Sequence, residues 1–230
     1  MAVAFAKEGA DVAIAYLSET DDATHTVDLI DQAGTRGVLY PGDLADPGHC
    51  ADVVRRTVED LGGLDIVVNN VAFQNPVDDF EDLTPEQWYR TFDVNIHSFF
   101  HITRAAVPHL GRGGAIINTG SINGLRGNKS LIDYSAAKGA VTALTYSLAQ
   151  SLVDKGIRVN CVAPGPVWTP LIPATMPPDK VADFGAQVPF GRAAQPDEIA
   201  PSFVFFASEL YSSYYSGEVL APIGGETLPG

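Results

Sequence analysis

The chain is short of cysteine, short of positive charge and without any long apolar run, and each shortage narrows what it can be. Two cysteines, Cys50 and Cys161, in 230 residues cannot build a disulfide framework. They read as small buried residues in a reducing compartment, which fits a cytoplasmic setting. Lys and Arg number 14 against 28 Asp and Glu, a formal net charge of −14 with a sequence pI near 4.5. That sign repels phosphate backbones and anionic lipid surfaces, so neither nucleic acid nor membrane is expected as a partner. No stretch approaches the roughly 18 apolar residues of a spanning helix, and the N-terminus lacks the cationic start and cleavage site of a signal peptide. His25, His49, His97, His101 and His109 show no metal-site spacing with Cys or carboxylates; His97 and His101, at i and i+4, fit a helix surface, and no catalytic metal is expected. No internal repeat, low-complexity tract or linker-like composition shift appears. With 46 % hydrophobic and 18 % charged residues, residues 1–230 read as one domain with one large core.

What the chain does have is alternation of two patterns. Apolar runs rich in β-branched residues recur at 12–16, 38–40, 66–69, 115–119, 159–163 and 219–221, each with the look of a buried strand. Helical patterns lie between them: 21–33 ended by Gly34, 47–61 ended by Gly62, 85–110 opened by a capping box from Thr84 to Gln87, 132–155 ended by Gly156, and 196–208. Strand and helix in turn predict an α/β, Rossmann-like doubly wound parallel sheet covered on both faces. Ligands bind such sheets at the carboxyl ends of the strands. Small and polar residues gather there: Gly42-Asp43-Leu44, Asn69-Asn70-Val71-Ala72, Gly120-Ser121 and the run from Pro164 to Thr169.

One pair carries chemistry. Tyr134 and Lys138 lie four residues apart on one predicted helix, about 40° apart around its surface. An ammonium so placed favours phenolate over phenol, and a phenol with an ordinary pKa near 10 needs that help to exchange protons at neutral pH. Alone the pair is a common feature of amphipathic helices, just as Ser121 reads as a turn or cap residue and Asn95 as a helix residue satisfying backbone.

Together, Asn70-Val71-Ala72, Asn95, Ser121, YSAAK at 134–138 and PGPVWT at 164–169 resemble the short-chain dehydrogenase/reductase family. The resemblance covers nearly the whole chain, and VAPGPVWTPLIPATMP with FGAQVPFGRAAQPDEIAPSFVFFAS is similar to its general-stress, glucose/ribitol dehydrogenase-like branch. It implies an NAD- or NADP-dependent oxidoreductase that interconverts a small alcohol and its aldehyde or ketone. Tyr134 would be the acid/base; Lys138 would lower its pKa and hold the nicotinamide ribose. Ser121 would bind the substrate oxygen, and Asn95 would hold a water linking Lys138 to solvent. Asp43 and Leu44 would meet the adenine, Asn70, Val71 and Ala72 the adenosine ribose, and Pro164, Gly165, Val167 and Thr169 the nicotinamide end. Phe73, Gln74, Asn123, Leu125 and Trp168 would line the substrate pocket under a lid at 171–190. The resemblance also implies a homotetramer, with 216–226 packing against another subunit.

The front of the chain departs from that pattern. The family opens with a strand and a Gly-rich turn, whereas this chain opens with MAVAFAKEGADV, which corresponds to the end of the following helix. The runs at 12–16 and 66–69 are therefore expected to lack a shared neighbour and to expose an apolar slot. A recorded start placed too late, a truncated pseudoenzyme or scaffold unable to hold the pyrophosphate, and a partner that fills the slot are the three alternatives. Neither an acid nor a base ends the second family strand, at Ala15 to Ser18, so the choice between NAD and NADP stays open.

Overall fold

A computed structural model describes residues 1–227. The elements run α1 (Ala2–Lys7), β1 (Val12–Tyr16), α2 (Thr20–Gln32), β2 (Gly37–Pro41), α3 (Pro47–Leu61), β3 (Ile66–Asn69), α4 (Pro85–Phe92), α5 (Ser98–Ala106) and β4 (Ala115–Thr119). They continue as α6 (Ile122–Arg126), α7 (Ile132–Leu152), β5 (Arg158–Val162), α8 (Leu171–Thr175), α9 (Pro178–Ala182), α10 (Pro196–Ala207), α11 (Glu209–Ser212) and β6 (Val219–Leu220). Local chemistry explains the boundaries. Asp46 caps α3 by accepting from the Gly48 N–H at 2.8 Å, Pro47 fills the first position, and Gly62 at φ 88° turns the chain out at the other end.

All strand pairs are parallel, but the sheet is not continuous. β1 pairs with β2, while β3-β4-β5-β6 form a separate four-stranded sheet. Strands of a parallel ladder turn alternate residues to opposite neighbours. The Val12 N–H donates to the Arg36 carbonyl at 2.8 Å and the Tyr16 carbonyl accepts from the Gly42 N–H at 2.8 Å, so Ala13 and Ala15 turn their backbone groups to the other edge. On β3 the Asp65 carbonyl accepts from the Ala115 N–H at 3.0 Å, so Ile66 and Val68 face an edge that no described strand covers. The expected absence of a shared neighbour is thus visible. All five residues of β1 are partly exposed, yet Val12, Ile66 and Val68 pack against one apolar cluster with Phe5, Ile117, Val162 and Phe203. The two sheets share a core without sharing hydrogen bonds.

The single helix expected over 85–110 is three pieces. α4 ends at Phe92, one π-helical turn follows at Asp93–His97, and α5 stops at Ala106. Buried Asn95 sits inside that π turn, a geometry that places a functional side chain where regular spacing would not. The capping box at its start is half made. The Thr84 hydroxyl accepts from the Gln87 N–H at 3.2 Å, but the Gln87 side chain turns away to Asn75 and Asp133. The helix expected over 132–155 closes at Leu152 with a short 3₁₀ turn beyond it.

Candidate active site

The carboxyl ends of β3, β4 and β5 open onto a cavity of about 1030 Å³. Ser121, Tyr134 and Lys138 line it, placed there by the exit of β4 and the first two turns of α7. Ser121 is also the N-cap of α6 and accepts from the Asn123 N–H at 3.1 Å, so the structural and functional readings of that residue coexist. α6 lies almost on α7: a Cβ added at Gly124 would stand 2.6 Å from the Lys138 carbonyl carbon. That close approach holds the Lys138 turn against the end of β4, and only glycine permits it.

Lys138 is fully buried. Its Nζ donates to the Thr119 carbonyl at 2.7 Å and lies 5.1 Å from the Phe99 ring centre and 5.7 Å from that of Tyr134. Burial pushes its pKa down to about 8, because a desolvated ammonium is costly. Burial raises the pKa of the Tyr134 phenol, opposing the lowering expected from the nearby Lys138 charge.

Asn95 is fully buried, but its side chain is spoken for. Its Nδ2 donates to the carbonyls of Phe73 at 2.7 Å and Thr91 at 2.9 Å, and its Oδ1 accepts from the Phe73 N–H at 3.0 Å. What Asn95 does in this structure is pin the loop that leaves β3. A proton relay there would have to use its backbone rather than its amide.

The expected cofactor residues divide. Asn70, Val71 and Ala72, with Pro164, Gly165, Val167 and Thr169, line the cavity, and the Thr119 hydroxyl joins β4 to β3 by donating to Asn70 Oδ1 at 3.0 Å. Asp43 and Leu44 lie past the end of β2, outside the lining residues. Asp43 accepts from Arg90 at 2.7 Å and from the Ala45 N–H at 2.9 Å. Burial raises its pKa, but these bonds outweigh that and hold the carboxyl below its ordinary value. Of the expected substrate contacts, Gln74 and Asn123 reach the cavity, while Phe73, Leu125 and Trp168 are not among its lining. Leu125 belongs to an apolar cluster, and Trp168 leans on Phe184 at 6.4 Å, displaced outward because its neighbours Val167 and Thr169 take the inward positions.

Sequence reading missed Asp133, fully buried beside Tyr134, and its partners Gln87 and Thr91. An acid in the first turn of a helix is ordinary dipole complementation, so nothing in the spacing distinguished it. Both cysteines are buried and unpaired. Among the described residues no three His, Cys, Asp or Glu converge as metal ligands, and no helix is long and apolar enough to cross a membrane.

A parallel sheet whose strand ends, with helix α7, bring Ser121, Tyr134 and Lys138 to one cavity defines a class, and comparison with known proteins agrees. A family profile described as enoyl-(acyl carrier protein) reductase matches residues 1–227, and the chain belongs to the short-chain dehydrogenase/reductase family of oxidoreductases. It is 50 % identical over 225 residues to general stress protein 39 of Bacillus subtilis, covering 98 % of this chain and 78 % of that protein. To the glucose and ribitol dehydrogenase of Daucus carota it is 45 % identical over 232 residues, covering 98 % and 79 %. A solved short-chain dehydrogenase from Burkholderia cenocepacia in complex with NADP superposes with TM-score 0.89 at 32 % identity, covering 97 % of this chain and 91 % of that one.

Proposed function

We propose that the protein interconverts a small alcohol and its aldehyde or ketone using NAD or NADP, with Tyr134 as the acid/base. The observation that carries this reading is the convergence of Ser121, Tyr134 and Lys138 on one strand-end cavity. A bound nicotinamide would supply or accept the hydride. In the reducing direction the Tyr134 hydroxyl gives its proton to the substrate oxygen, and Ser121 donates a hydrogen bond to that oxygen as charge develops on it. The Lys138 ammonium stands beside the phenolate left behind and supports it.

The residues present fit the nicotinamide half of such a cofactor. Asn70 to Ala72, Gly120, Pro164 and Gly165 make a rim of small side chains and backbone, and Lys138 supplies the cation next to the ribose. Asp43 and Leu44, assigned to the adenine, lie outside the cavity lining, and the Asp43 carboxylate is engaged by Arg90 at 2.7 Å. That observation favours a second reading, a scaffold descended from an oxidoreductase. Titration of the chain with NADH and NADPH, followed by turnover of small aldehydes, separates the two. Saturable binding with turnover lost in Tyr134→Phe supports the enzyme; a folded chain that binds neither nucleotide supports the scaffold.

The segment of α8 and α9 lines the cavity through Leu171, Ile172, Met176 and Lys180, which supports its reading as a lid. A homotetramer is supported by the apolar surface near the C-terminal strand, where Leu210, Tyr211 and Tyr214 are 82 %, 69 % and 98 % exposed. Light scattering on the purified chain tests it.

A further inference from the structure

We propose that Asp133 is a positioning residue that fixes the substrate wall and the lid relative to the Tyr134 helix. The inference rests on the oxidoreductase reading of the same cavity. Asp133 precedes Tyr134 in the first turn of α7, but its carboxylate points the other way, into the interface with α4, where it is fully buried. Its Oδ2 accepts from the Thr91 hydroxyl at 2.6 Å and from Gln87 Nε2 at 3.2 Å, while Oδ1 is buried with no protein partner. A buried carboxylate is costly unless its bonds are made, so one that stands here incompletely paired holds its two donors firmly.

Those donors lead to the cavity. Gln87 closes a two-way clasp on Asn75, donating to its carbonyl at 2.7 Å and accepting from its Nδ2 at 2.8 Å. Thr91 shares its carbonyl with Asn95, which clasps Phe73 on both backbone groups. Two residues past Asn75, the Val77 N–H donates to the Ser130 carbonyl at 2.9 Å. Phe73, Asn75 and Val77 thus pin a short strip of chain, and Gln74, between the first two clasps, lines the cavity. Gln74 is itself buried, and its Nε2 donates to the Thr175 hydroxyl of α8 at 2.9 Å. A continuous path therefore runs from the carboxylate next to the acid/base residue, through the strip, to the latch of the lid.

Asp133→Asn tests this with two readouts. In the ligand-free chain, hydrogen exchange should rise at 73–77 and at 171–176 and stay unchanged in β4 and β5. In turnover, KM for the carbonyl substrate should rise about tenfold with kcat falling less than about threefold, the size of one lost bond to a charged group. In a Gln74→Ala background the same change should add less than about twofold, because the two act through one path. Exchange that rises only in α4 and α7, or effects of the two substitutions that multiply, would overturn the proposal. If Asp133→Asn does not fold, Thr91→Val removes the shorter bond and should give the same pattern. A wild-type chain without turnover, in which Asp133→Asn still raises exchange at 73–77 and 171–176, would sink the enzyme reading and leave the positioning role standing; wild-type turnover with exchange unchanged by Asp133→Asn would do the reverse.

Discussion

The two-stranded and four-stranded sheets are built from similar apolar runs, yet they do different work. In β4 only Thr119 is not fully buried and in β5 every residue is, whereas all five residues of β1 are partly exposed. The difference is neighbours: β4 and β5 are each paired on both edges, β1 and β3 on one. Tyr134, Lys138 and Ser121 all hang from the closed half. Asp43 and Leu44, assigned to the adenine, hang from the open one. Under the proposed function, the proton chemistry is thus mounted on the fully paired strands and the adenine contacts on the strands paired on one edge.

The largest effect expected on either side is chemical. Tyr134→Phe should lower turnover by roughly 10²–10⁴-fold, the range for losing a general acid, while the thermal midpoint stays within about two degrees. Retained turnover would refute the role of Tyr134. Next come paired truncations that compare the halves directly. Ile117→Ala on fully buried β4 should cost about 3–4 kcal/mol in urea unfolding, and Ile14→Ala on half-exposed β1 about half that. Equal costs would mean that the open edge is no weakness.

A third effect is a pH slope from Lys138. Its folded pKa is about 8 against an ordinary value of 10.5. Between pH 8 and 9 the unfolded chain keeps a proton that the folded chain has released, so stability rises with pH there; above pH 9 Cys50 and Cys161, each raised to about 11, work in the opposite direction. That one-unit window is worth about 1 kcal/mol. Lys138→Met should abolish the slope together with turnover, and a slope that persists would place the shifted group elsewhere.

The alternation of strands and helices, the strand-end site and the gap beside β1 were all legible in the sequence, because burial patterns and breakers such as Gly62 act locally. The π turn at Asn95 was not, since a one-residue bulge leaves the apolar period almost unchanged. The burial of the Tyr134 phenol also escaped, because the Tyr-Lys spacing shows the charge but not the desolvation that opposes it. Gln87 is the sharpest case. Its position three residues after Thr84 satisfies the pattern of a capping box, yet its side chain serves Asn75 and Asp133, partners 12 and 46 residues away that no local rule connects.

The smallest effect tests what joins the halves. Arg90 of α4 reaches Asp43 beyond β2 at 2.7 Å, both side chains being about two-fifths exposed, so the pair spans from the closed half to the open one. Solvent screening limits such a bond, and Arg90→Ala should cost less than about 1 kcal/mol at pH 7. Because the folded pKa of Asp43 is lowered, this contribution is complete above the ordinary carboxyl value of 3.8 and fades as pH falls below it. Urea midpoints of the two proteins should therefore differ slightly at pH 7 and converge near pH 3. A larger gap at pH 7 would make this ion pair a main tie between the halves. No gap at either pH would leave that task to the apolar cluster of Phe5, Ile117 and Phe203, on which both β1 and β3 pack, and would free Asp43 for a cofactor at no cost to the fold.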